Sequence, residues 1–347
     1  MDFHKTRKVH VIFFVIITVL TILLVISPQY MYNACSSKID EPYPIEILQQ
    51  QGYEVKRIPK NGNLKNKSLL RKGSNGKGNG TQLVQAGKCV KRLPRAIVVG
   101  IQKCGTTALV KFLGAHPEIA AFQYEAQYFF GRNYQNHPID WYRKMMPCSF
   151  PNQITIEKSP PYFYRREAAK NIRDMNPKTK IIIIVKDPVT RAVSMYAMLK
   201  EYKKVGGKSF EDCVTYNDNK TINSSSRFIE FSNYPKHMQV WLEYFNREQI
   251  LMLDGHQMEL NPASELKKVE RFLGIKNYFT PEMFAYNLTK KKYCLNIDPD
   301  KLDCLTDKKG REHPDIDSDI RISLEQYFRP LNKRFFKMIN MSFDWSY

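Results

Sequence analysis

Short apolar runs alternate with amphipathic segments in the chain after residue 93. Patterns of buried strands, rich in Ile and Val, stand at residues 96–100, 154–156, 181–185 and 250–253. Between them, apolar residues recur at helical spacing over 106–115, 189–204 and 235–245. Strands that alternate with helices are typical of a parallel sheet covered on both faces. We therefore expect a single α/β domain over 93–347, with a central parallel sheet flanked by helices and no internal repeat.

A different hydrophobic pattern occupies the N-terminus. Residues 9–26 form an apolar run in which His10 is the one ionisable side chain, and such a run is just long enough to cross a bilayer as a helix. Lys5, Arg7 and Lys8 precede it, which predicts a cytosolic tip over 1–8 and a C-terminal region across the membrane. The alternative is a cleaved signal peptide, whose apolar stretch is usually shorter and soon followed by small residues. We favour an uncleaved signal anchor over 9–26.

Residues 27–92 show no apolar period, and Gly-, Asn- and Lys-rich segments such as 72–80 cannot build a core. This composition predicts a flexible, basic stem between the anchor and the α/β domain. Asn-x-Ser/Thr sequons follow the anchor and agree with a lumenal location. They are Asn66, Asn79, Asn219, Asn223, Asn287 and Asn340.

The charge predicts an acidic partner. The chain holds 54 Lys and Arg against 34 Asp and Glu, a net charge of +20. Within the α/β domain the excess lies in residues 93–208, which hold 19 basic against 8 acidic residues. A disordered or collagen-like chain is excluded because 12% of the residues are aromatic and glycine shows no period. The anchor and sequons disfavour nucleic acid as the partner.

A glycine-containing turn follows the first strand and leads into a helix. In the segment 99–107 the backbone N–H groups and the helix N-terminus are suited to bind a phosphate, with Lys103 as a point charge. The spacing nearly matches the nucleotide-triphosphatase loop, but Thr106 stands where that motif has its lysine. The position of Lys103 therefore argues against kinase or ATPase chemistry. An ordinary strand-to-helix turn is the alternative interpretation of the isolated loop.

Two further polar segments follow strands. Glu157 and Lys158 end the strand at 154–156, and Lys186 and Asp187 follow the strand at 181–185. Ligands of open parallel sheets bind at the carboxyl ends of the strands. We therefore expect the loop at 99–107 and these two segments to meet on one rim of the sheet.

At this point the sequence resembles the sulfotransferase family, specifically the heparan sulfate glucosaminyl branch of the Golgi. The resemblance covers nearly all of residues 93–345 and is closest to the 3-O-sulfotransferases, while the phosphate loop and the segment 125–127 are more similar to N-sulfotransferase domains. The matching segments are VVGIQKCGTTALVKFLGAHPEIA, IDWYRKMMP, QITIEKSPPYF, IIIIVKDPVTRAVSMY, KVERFLGI, KKYCL, KKGREHP and FDW.

The resemblance implies 3′-phosphoadenylyl sulfate (PAPS) as the sulfo donor, with no metal required. The residues implied to bind the 5′-phosphosulfate are Lys103, Cys104, Gly105, Thr106 and Thr107. The 3′-phosphate is matched to Lys186 and Ser194, and further nucleotide contacts to Tyr293 and to a basic loop of Lys309, Gly310 and Arg311. Relatives commonly have arginine at the position of Lys186, so lysine keeps the charge but loses a bidentate contact.

The resemblance also implies the chemistry. Glu125 matches a catalytic base, and Lys103 and Lys158 match cations that stabilise the transferring sulfuryl group. Cys104 matches a variable position, and we interpret it as a small loop residue and not as a nucleophile. The implied contacts to the acceptor are Lys158, Gln127, Arg165 and Arg166.

Several residues depart from the family pattern. Gln127 stands where 3-O-sulfotransferases usually have histidine, and Phe130 replaces an aspartate. Met195 and Met198 replace polar residues on a helix expected to face the substrate. These departures leave the acceptor position open.

A set of basic side chains near the rim, together with the aromatics Tyr162, Phe163 and Trp241, could line a glycan groove, although core packing is the better interpretation for Trp241. The basic residues are Arg132, Arg143, Lys144, Arg165, Arg166, Lys170, Arg173, Lys200, Lys203 and Lys204.

The cysteines follow the resemblance only in part. Cys294 and Cys304 match the family's lumenal disulfide hairpin, and the expected compartment favours the bridge over free thiols. The pairing of Cys35, Cys89, Cys148 and Cys213 stays open.

We therefore expect a single-pass type II Golgi protein that sulfates the glucosamine 3-hydroxyl of heparan sulfate. The alternatives are N-sulfation or another glycan acceptor, a lumenal Mg-dependent nucleotide kinase, and a catalytically inactive heparin-binding membrane protein. The sequence does not indicate an oligomeric state.

Overall fold

The computed structural model describes residues 87–218, 220–298, 301–306 and 313–345. The predicted anchor and nearly all of the predicted stem lie outside this range, as do Lys309, Gly310 and Arg311 and the sequons at Asn66, Asn79 and Asn219. Within the described ranges, no helix is long and apolar enough to cross a membrane.

A five-stranded parallel sheet is the centre of the fold. Its strand order is β3-β5-β2-β6-β7, and β2 therefore lies between β5 and β6. The strands are β3 (Ile119–Ala121), β5 (Ile154–Lys158), β2 (Ala96–Gly100), β6 (Lys180–Val185) and β7 (Ile250–Asp254). Every residue of β2 and of β5 is buried, so both sheet faces are covered at these strands, as their unbroken apolar runs predict.

Two smaller sheets lie beside the central one. A two-residue pair joins β1 (Val90–Lys91) to β4 (Cys148–Ser149) in antiparallel order. An antiparallel sheet joins β8 (Phe284–Asn287), β9 (Lys292–Asp298) and β10 (Lys301–Asp303). The sequence patterns did not predict either small sheet.

Helices fill the connections between the strands. They are α1 (Thr106–Leu113), α2 (Gly131–Asn136), α3 (Ile139–Met145), α4 (Arg166–Met175), α5 (Pro188–Glu201), α6 (Phe210–Val214), α7 (Arg227–Glu230), α8 (Tyr234–Tyr244), α9 (Gly255–Leu260), α10 (Pro262–Leu273) and α11 (Ser318–Ile339). Short 3₁₀ turns occupy Pro160–Tyr164, Arg247–Gln249 and Pro281–Met283. The predicted α/β architecture is confirmed, and the predicted helices at 106–115, 189–204 and 235–245 correspond to α1, α5 and α8.

Local signals explain where several helices begin and end. Asp187 caps α5 by accepting a hydrogen bond from the Thr190 N–H, and proline follows it at the first helical position. Asp317 caps α11 in the same way, accepting from the N–H groups of Asp319 and Ile320. At the other end of α11, Asn340 adopts a left-handed conformation, with φ of 51°, which stops the helix.

Two disulfides join pairs of cysteines within the described residues. Cys294–Cys304 links β9 to the residue after β10, which confirms the pairing that the family resemblance implies. Cys89–Cys148 ties the start of the domain to β4, with the Cα atoms 5.5 Å apart. Sequence reasoning left this second pairing open.

Three predicted sequons lie in the described part of the chain. The side-chain oxygens of Asn223 and Asn287 accept hydrogen bonds from the N–H groups of Ser225 and Lys290, and both residues are half-buried. Asn340 is exposed at the end of α11. Glycosylation at these positions stays a prediction.

Candidate active site

The predicted phosphate loop joins β2 to α1. The backbone has a positive φ at Lys103 (77°) and at Gly105 (104°), so the chain turns tightly before the helix, and Gly105 fits a left-handed position at no steric cost. No side chain caps the N-terminus of α1. Peptide N–H groups at such a terminus, beside a lysine, are an arrangement suited to an anionic group.

Neighbouring strands place the three predicted segments together. The loop's Ile101 N–H donates to Ile184 O on β6 (2.9 Å), and Val98 on β2 stands opposite Lys158 on β5. The carboxyl ends of β5, β2 and β6 therefore lie side by side, which confirms that the three segments meet on one rim of the sheet.

Gly255, the first residue of α9, packs against this rim. A Cβ atom at Gly255 would lie 2.4 Å from Cys104 O and 2.7 Å from Lys186 Cγ, distances too short for any other residue without a shift of the backbone. Sequence reasoning missed this contact, although a glycine two residues after the apolar run at 250–253 was an available signal.

Cys104 is fully buried within the loop. Burial raises the pKa of its thiol to about 11, with the nearby positive charges of Arg191 and Lys186 opposing that rise. A thiol of this kind is protonated near neutral pH and is a poor nucleophile. This agrees with the interpretation of Cys104 as a small loop residue.

Glu125 and Lys158 form an ion pair at the rim. Lys158 Nζ lies 2.8 Å from Glu125 Oε1, and the lysine side chain is fully buried while that of Glu125 keeps 13% exposure. Gln127 Nε2 donates to the other carboxylate oxygen at 3.3 Å. The structure thus brings together the predicted base Glu125, the predicted cation Lys158 and Gln127. The Glu125 carboxylate remains partly accessible to solvent.

Side chains at the end of β5 also hydrogen-bond the backbone of the loop that carries Glu125. Glu157 Oε1 accepts from the Ala126 N–H (3.3 Å), and Ser159 Oγ accepts from the Gln127 N–H (2.9 Å). Burial raises the pKa of the Glu157 carboxyl to about 7, although hydrogen bonds from Ser159 and Ala126 oppose this rise. Sequence reasoning treated Glu157 only as part of a matching segment.

Lys186 follows β6 on the same rim. Its Nζ pairs with Glu259 of α9, and its backbone oxygen accepts from the Tyr234 hydroxyl at 2.9 Å. His313 stands close enough that burial and the charge of Lys186 lower its pKa. Ser194, matched to the same phosphate as Lys186, is half-buried two turns into α5.

Three other predicted site residues are held by different neighbours. The Arg165 guanidinium lies 5.2 Å from the centre of the Phe130 ring. Arg166 is exposed and pairs with Glu243 of α8, and the hydrogen bond to Glu243 raises its pKa. Tyr293 lies in β9 with its ring 5.3 Å from that of Tyr286.

Several residues considered for the acceptor side of the site are in the core. They are the suggested groove aromatics Tyr162 and Phe163, the departures Phe130, Met195 and Met198, and Trp241, for which core packing was expected; none is more than 8% exposed. The idea that Tyr162 and Phe163 floor a glycan groove is therefore wrong, because their rings are enclosed by packing. Core packing of Trp241 is confirmed, and its indole N–H donates to Phe163 O at 3.1 Å.

The parallel sheet, the phosphate loop and the carboxylate–lysine pair define an α/β group-transfer enzyme. A family model described as a sulfotransferase domain matches residues 93–336. The chain is 36% identical over 273 residues to human heparan sulfate glucosamine 3-O-sulfotransferase 5, covering 78% of this chain and 79% of that protein. It is 37% identical over 257 residues to human heparan sulfate glucosamine 3-O-sulfotransferase 6, covering 74% of each. The chain therefore belongs to the sulfotransferase family, in the group of the heparan sulfate glucosamine 3-O-sulfotransferases.

Among solved structures, the fold is similar to a sulfotransferase from Alicyclobacillus acidocaldarius. The TM-score is 0.57 at 20% identity, and the match covers 73% of this chain and 98% of that one. The similarity establishes the fold of the described domain.

Proposed function

We propose that this sulfotransferase transfers a sulfuryl group from PAPS to the 3-hydroxyl of a glucosamine in heparan sulfate. The observation that carries the proposal is the Glu125–Lys158 ion pair beside a lysine-bearing phosphate loop, in a chain of this family. A carboxylate and a cation at the carboxyl edge of a parallel sheet are what an in-line transfer to a hydroxyl requires.

The residues at the rim fit an anionic nucleotide donor. Lys103, Gly105 and the N-terminus of α1 form one cradle for phosphate. The family resemblance assigns the second phosphate to Lys186, on the same rim, and to Ser194 of α5. Gly255 leaves room for the phosphate loop and Lys186 to approach each other. The donor supplies the sulfuryl group, and the protein supplies the charges that bind and orient it.

Glu125 is the general base in this proposal. Its carboxylate is within hydrogen-bond reach of Lys158 and Gln127 and keeps an exposed edge where a sugar hydroxyl can approach. Deprotonation of that hydroxyl makes it the nucleophile. Lys158 and Lys103 then stabilise the negative charge that develops on the transferring group and the leaving phosphate.

A cavity beside α5 supports an anionic glycan as acceptor. Lys200, Lys203 and Lys208 line this cavity of about 520 Å³ together with Tyr196 and Phe210, and Glu211 and Asp315 line it as well. The three ammonium groups exceed the two carboxylates by one charge, and this positive excess attracts sulfate or carboxylate groups of a polymer, an attraction that weakens with salt. N-sulfation is the second candidate. Gln127, beside the base, has a neutral amide where 3-O-sulfotransferases usually have a titratable histidine, and the segment 125–127 is more similar to N-sulfotransferase domains.

We also propose that the enzyme is a single-pass type II protein of the Golgi membrane with a lumenal catalytic domain. The apolar run at 9–26, the sequons and the disulfides Cys89–Cys148 and Cys294–Cys304 support this location, because disulfides persist in oxidising compartments.

Incubation of the purified full-length protein with ³⁵S-labelled PAPS and heparan sulfate tests the function, with Glu125→Gln as the inactive control. Disaccharide analysis of the product separates the positions of sulfation. A 3-O-sulfated product supports the proposal, an N-sulfated product supports the second candidate, and label transfer to no glycan rejects both. Heparin binding by the wild-type protein without turnover would instead support a catalytically inactive binding protein.

A further inference from the structure

Three consecutive side chains at the end of β5 each hold one residue of the loop that carries the base. Glu157 accepts from the Ala126 N–H, Lys158 pairs with the Glu125 carboxylate, and Ser159 accepts from the Gln127 N–H. These three side chains, the last two of β5 and Ser159 directly after it, are fully buried. The loop is therefore fixed through both its backbone and its functional carboxylate by one short segment.

The loop needs such support because its backbone is strained. Gln127 has a φ of 45°, a left-handed conformation that residues other than glycine rarely adopt. The Asn133 side-chain amide also donates to Gln127 O at 3.1 Å. The orientation of Glu125, two residues earlier, depends on these contacts.

Glu157 links the contacts. Its Oε1 accepts from both Ala126 N–H and the Ser159 hydroxyl, and Tyr142 OH donates to its Oε2 at 3.4 Å. An ionised carboxylate accepts all of these bonds, whereas a protonated carboxyl has to donate one and so forces a hydroxyl partner to turn. Keeping a carboxylate away from water is costly even when it is hydrogen-bonded, which indicates a purpose beyond packing.

We propose that Glu157 is a positioning residue for the sulfuryl transfer: in its ionised form it fixes the 125–127 loop so that Glu125 points at the acceptor hydroxyl. Because Glu157 is fully buried, it acts through the loop and does not touch either substrate. This inference rests on the proposed function for its kinetic consequence, and on the contacts alone for its structural one.

The groups that face Glu157 come from four elements. They are Tyr142 of α3, Tyr162 of the 3₁₀ turn, Lys158 of β5 and Glu125 of the base loop. Burial places the pKa of Glu157 at about 7, with Lys158 lowering it and Glu125 raising it by their charges. The Ala126 N–H bond lowers this pKa, which means that it favours the ionised form, so protonation of Glu157 weakens this loop contact. The loop should loosen as the pH falls below about 7, and kcat should fall with it.

The test compares full-length Glu157→Gln with wild type and with a matched control, Glu270→Gln. Glu270 is also fully buried, and it accepts from the N–H groups of Tyr278 and Phe279 in a loop that the proposed reaction does not use. Hydrogen exchange of peptides spanning 122–130 measures the loop, and kcat and KM from pH 5.5 to 8 measure the reaction.

For Glu157→Gln we expect at least tenfold faster exchange in this segment and at least tenfold lower kcat at pH 7.5. KM for the donor should change less than twofold, and the rise of kcat through pH 7 should disappear. Glu270→Gln should retain kcat within twofold and leave exchange over 122–130 unchanged. Ser159→Ala removes the contacts of that hydroxyl with the Gln127 N–H and with Glu157 Oε1 but keeps the Glu157 carboxylate. It should give a smaller effect of the same kind and serves if Glu157→Gln does not fold.

Unchanged exchange over 122–130 in both Glu157→Gln and Ser159→Ala would overturn the inference, as would a Glu157→Gln variant that keeps the rise of kcat through pH 7. If the wild-type protein transfers no sulfuryl group, the proposed function fails, and the exchange comparison still decides whether Glu157 fixes the loop.

Discussion

The Glu125–Lys158 pair offers the sharpest energetic test of the site. Replacing Lys158 with methionine keeps the length of the side chain but removes the charge that lies 2.8 Å from the Glu125 carboxylate. Removing one partner of a buried ion pair costs about 3–5 kcal/mol. Glu125 keeps 13% exposure, so water partly compensates. We therefore expect Lys158→Met to reduce the free energy of unfolding by about 3 kcal/mol, the low end of that range.

A double-mutant cycle separates the pair from its surroundings. Glu125→Gln keeps an oxygen for Lys158 and should cost about 2 kcal/mol, because it removes the carboxylate charge that pairs with a fully buried ammonium group. In the double variant neither charge is stranded, so its loss should be smaller than the sum of the two single losses by about 2 kcal/mol.

Urea unfolding of the full-length protein, followed by tryptophan fluorescence, measures the three free energies, and an unchanged m-value checks that the unfolding reaction is the same. Additive losses would refute the reasoning, since they would mean that the two side chains do not interact. In parallel, kcat of Glu125→Gln should fall by about 10²–10⁴-fold if Glu125 is the general base.

Arg191→Met should destabilise the domain by about 2–3 kcal/mol in urea unfolding, because the fully buried guanidinium donates to Ser232 Oγ and Phe228 O; a loss below 0.5 kcal/mol would contradict this. Glu157 has a folded-state pKa raised from 4.5 to about 7, so folding takes up a proton between these values. Its contribution to stability is full below pH 4.5 and decreases by about 3 kcal/mol as the pH rises to 7; unfolding of Glu157→Gln measured against pH should lack this slope. Asn340→Gly removes a sequon at a position with a φ of 51°, which glycine adopts freely. We expect the loss of one enzymatically removable glycan in mass spectrometry with no fall in melting temperature, and an unchanged mass would show that Asn340 is not glycosylated.

Much of the fold follows from simple patterns. The apolar runs at 96–100, 154–156, 181–185 and 250–253 predict four of the five central strands, because strands covered on both faces have near-continuous apolar sequences. The same rule places Lys158 and Lys186 at one rim, since strand ends in a parallel sheet point the same way. The central strand that the pattern did not predict is β3. It spans only three residues, two of them alanine, which is too short for a hydrophobic pattern to be recognised.

The site was predicted less completely than the fold. Glu125 and Lys158 could be named from the family resemblance, but their pairing depends on a turn at Gln127 that no local pattern encodes. The proposed role of Glu157 could not be predicted from the sequence, because its surroundings are formed by Tyr142 of α3 and by the loop at Ala126, 31 residues earlier in the chain. The Cys89–Cys148 bridge likewise joins residues 59 positions apart, and sequence alone leaves several pairings equally acceptable.

The order of strands in the central sheet has a consequence for biosynthesis. The middle strand β2 is among the first parts of the domain to be translated, yet its two neighbours, β5 and β6, come much later in the chain. The ribosome must add 85 residues after Gly100 before Val185 completes the second neighbour, which takes about 4–17 s at typical elongation rates. The nascent chain therefore carries an apolar strand with two unpaired edges until β5 is made, and with one unpaired edge until β6 emerges. Such an edge is open to pairing with other chains during this time.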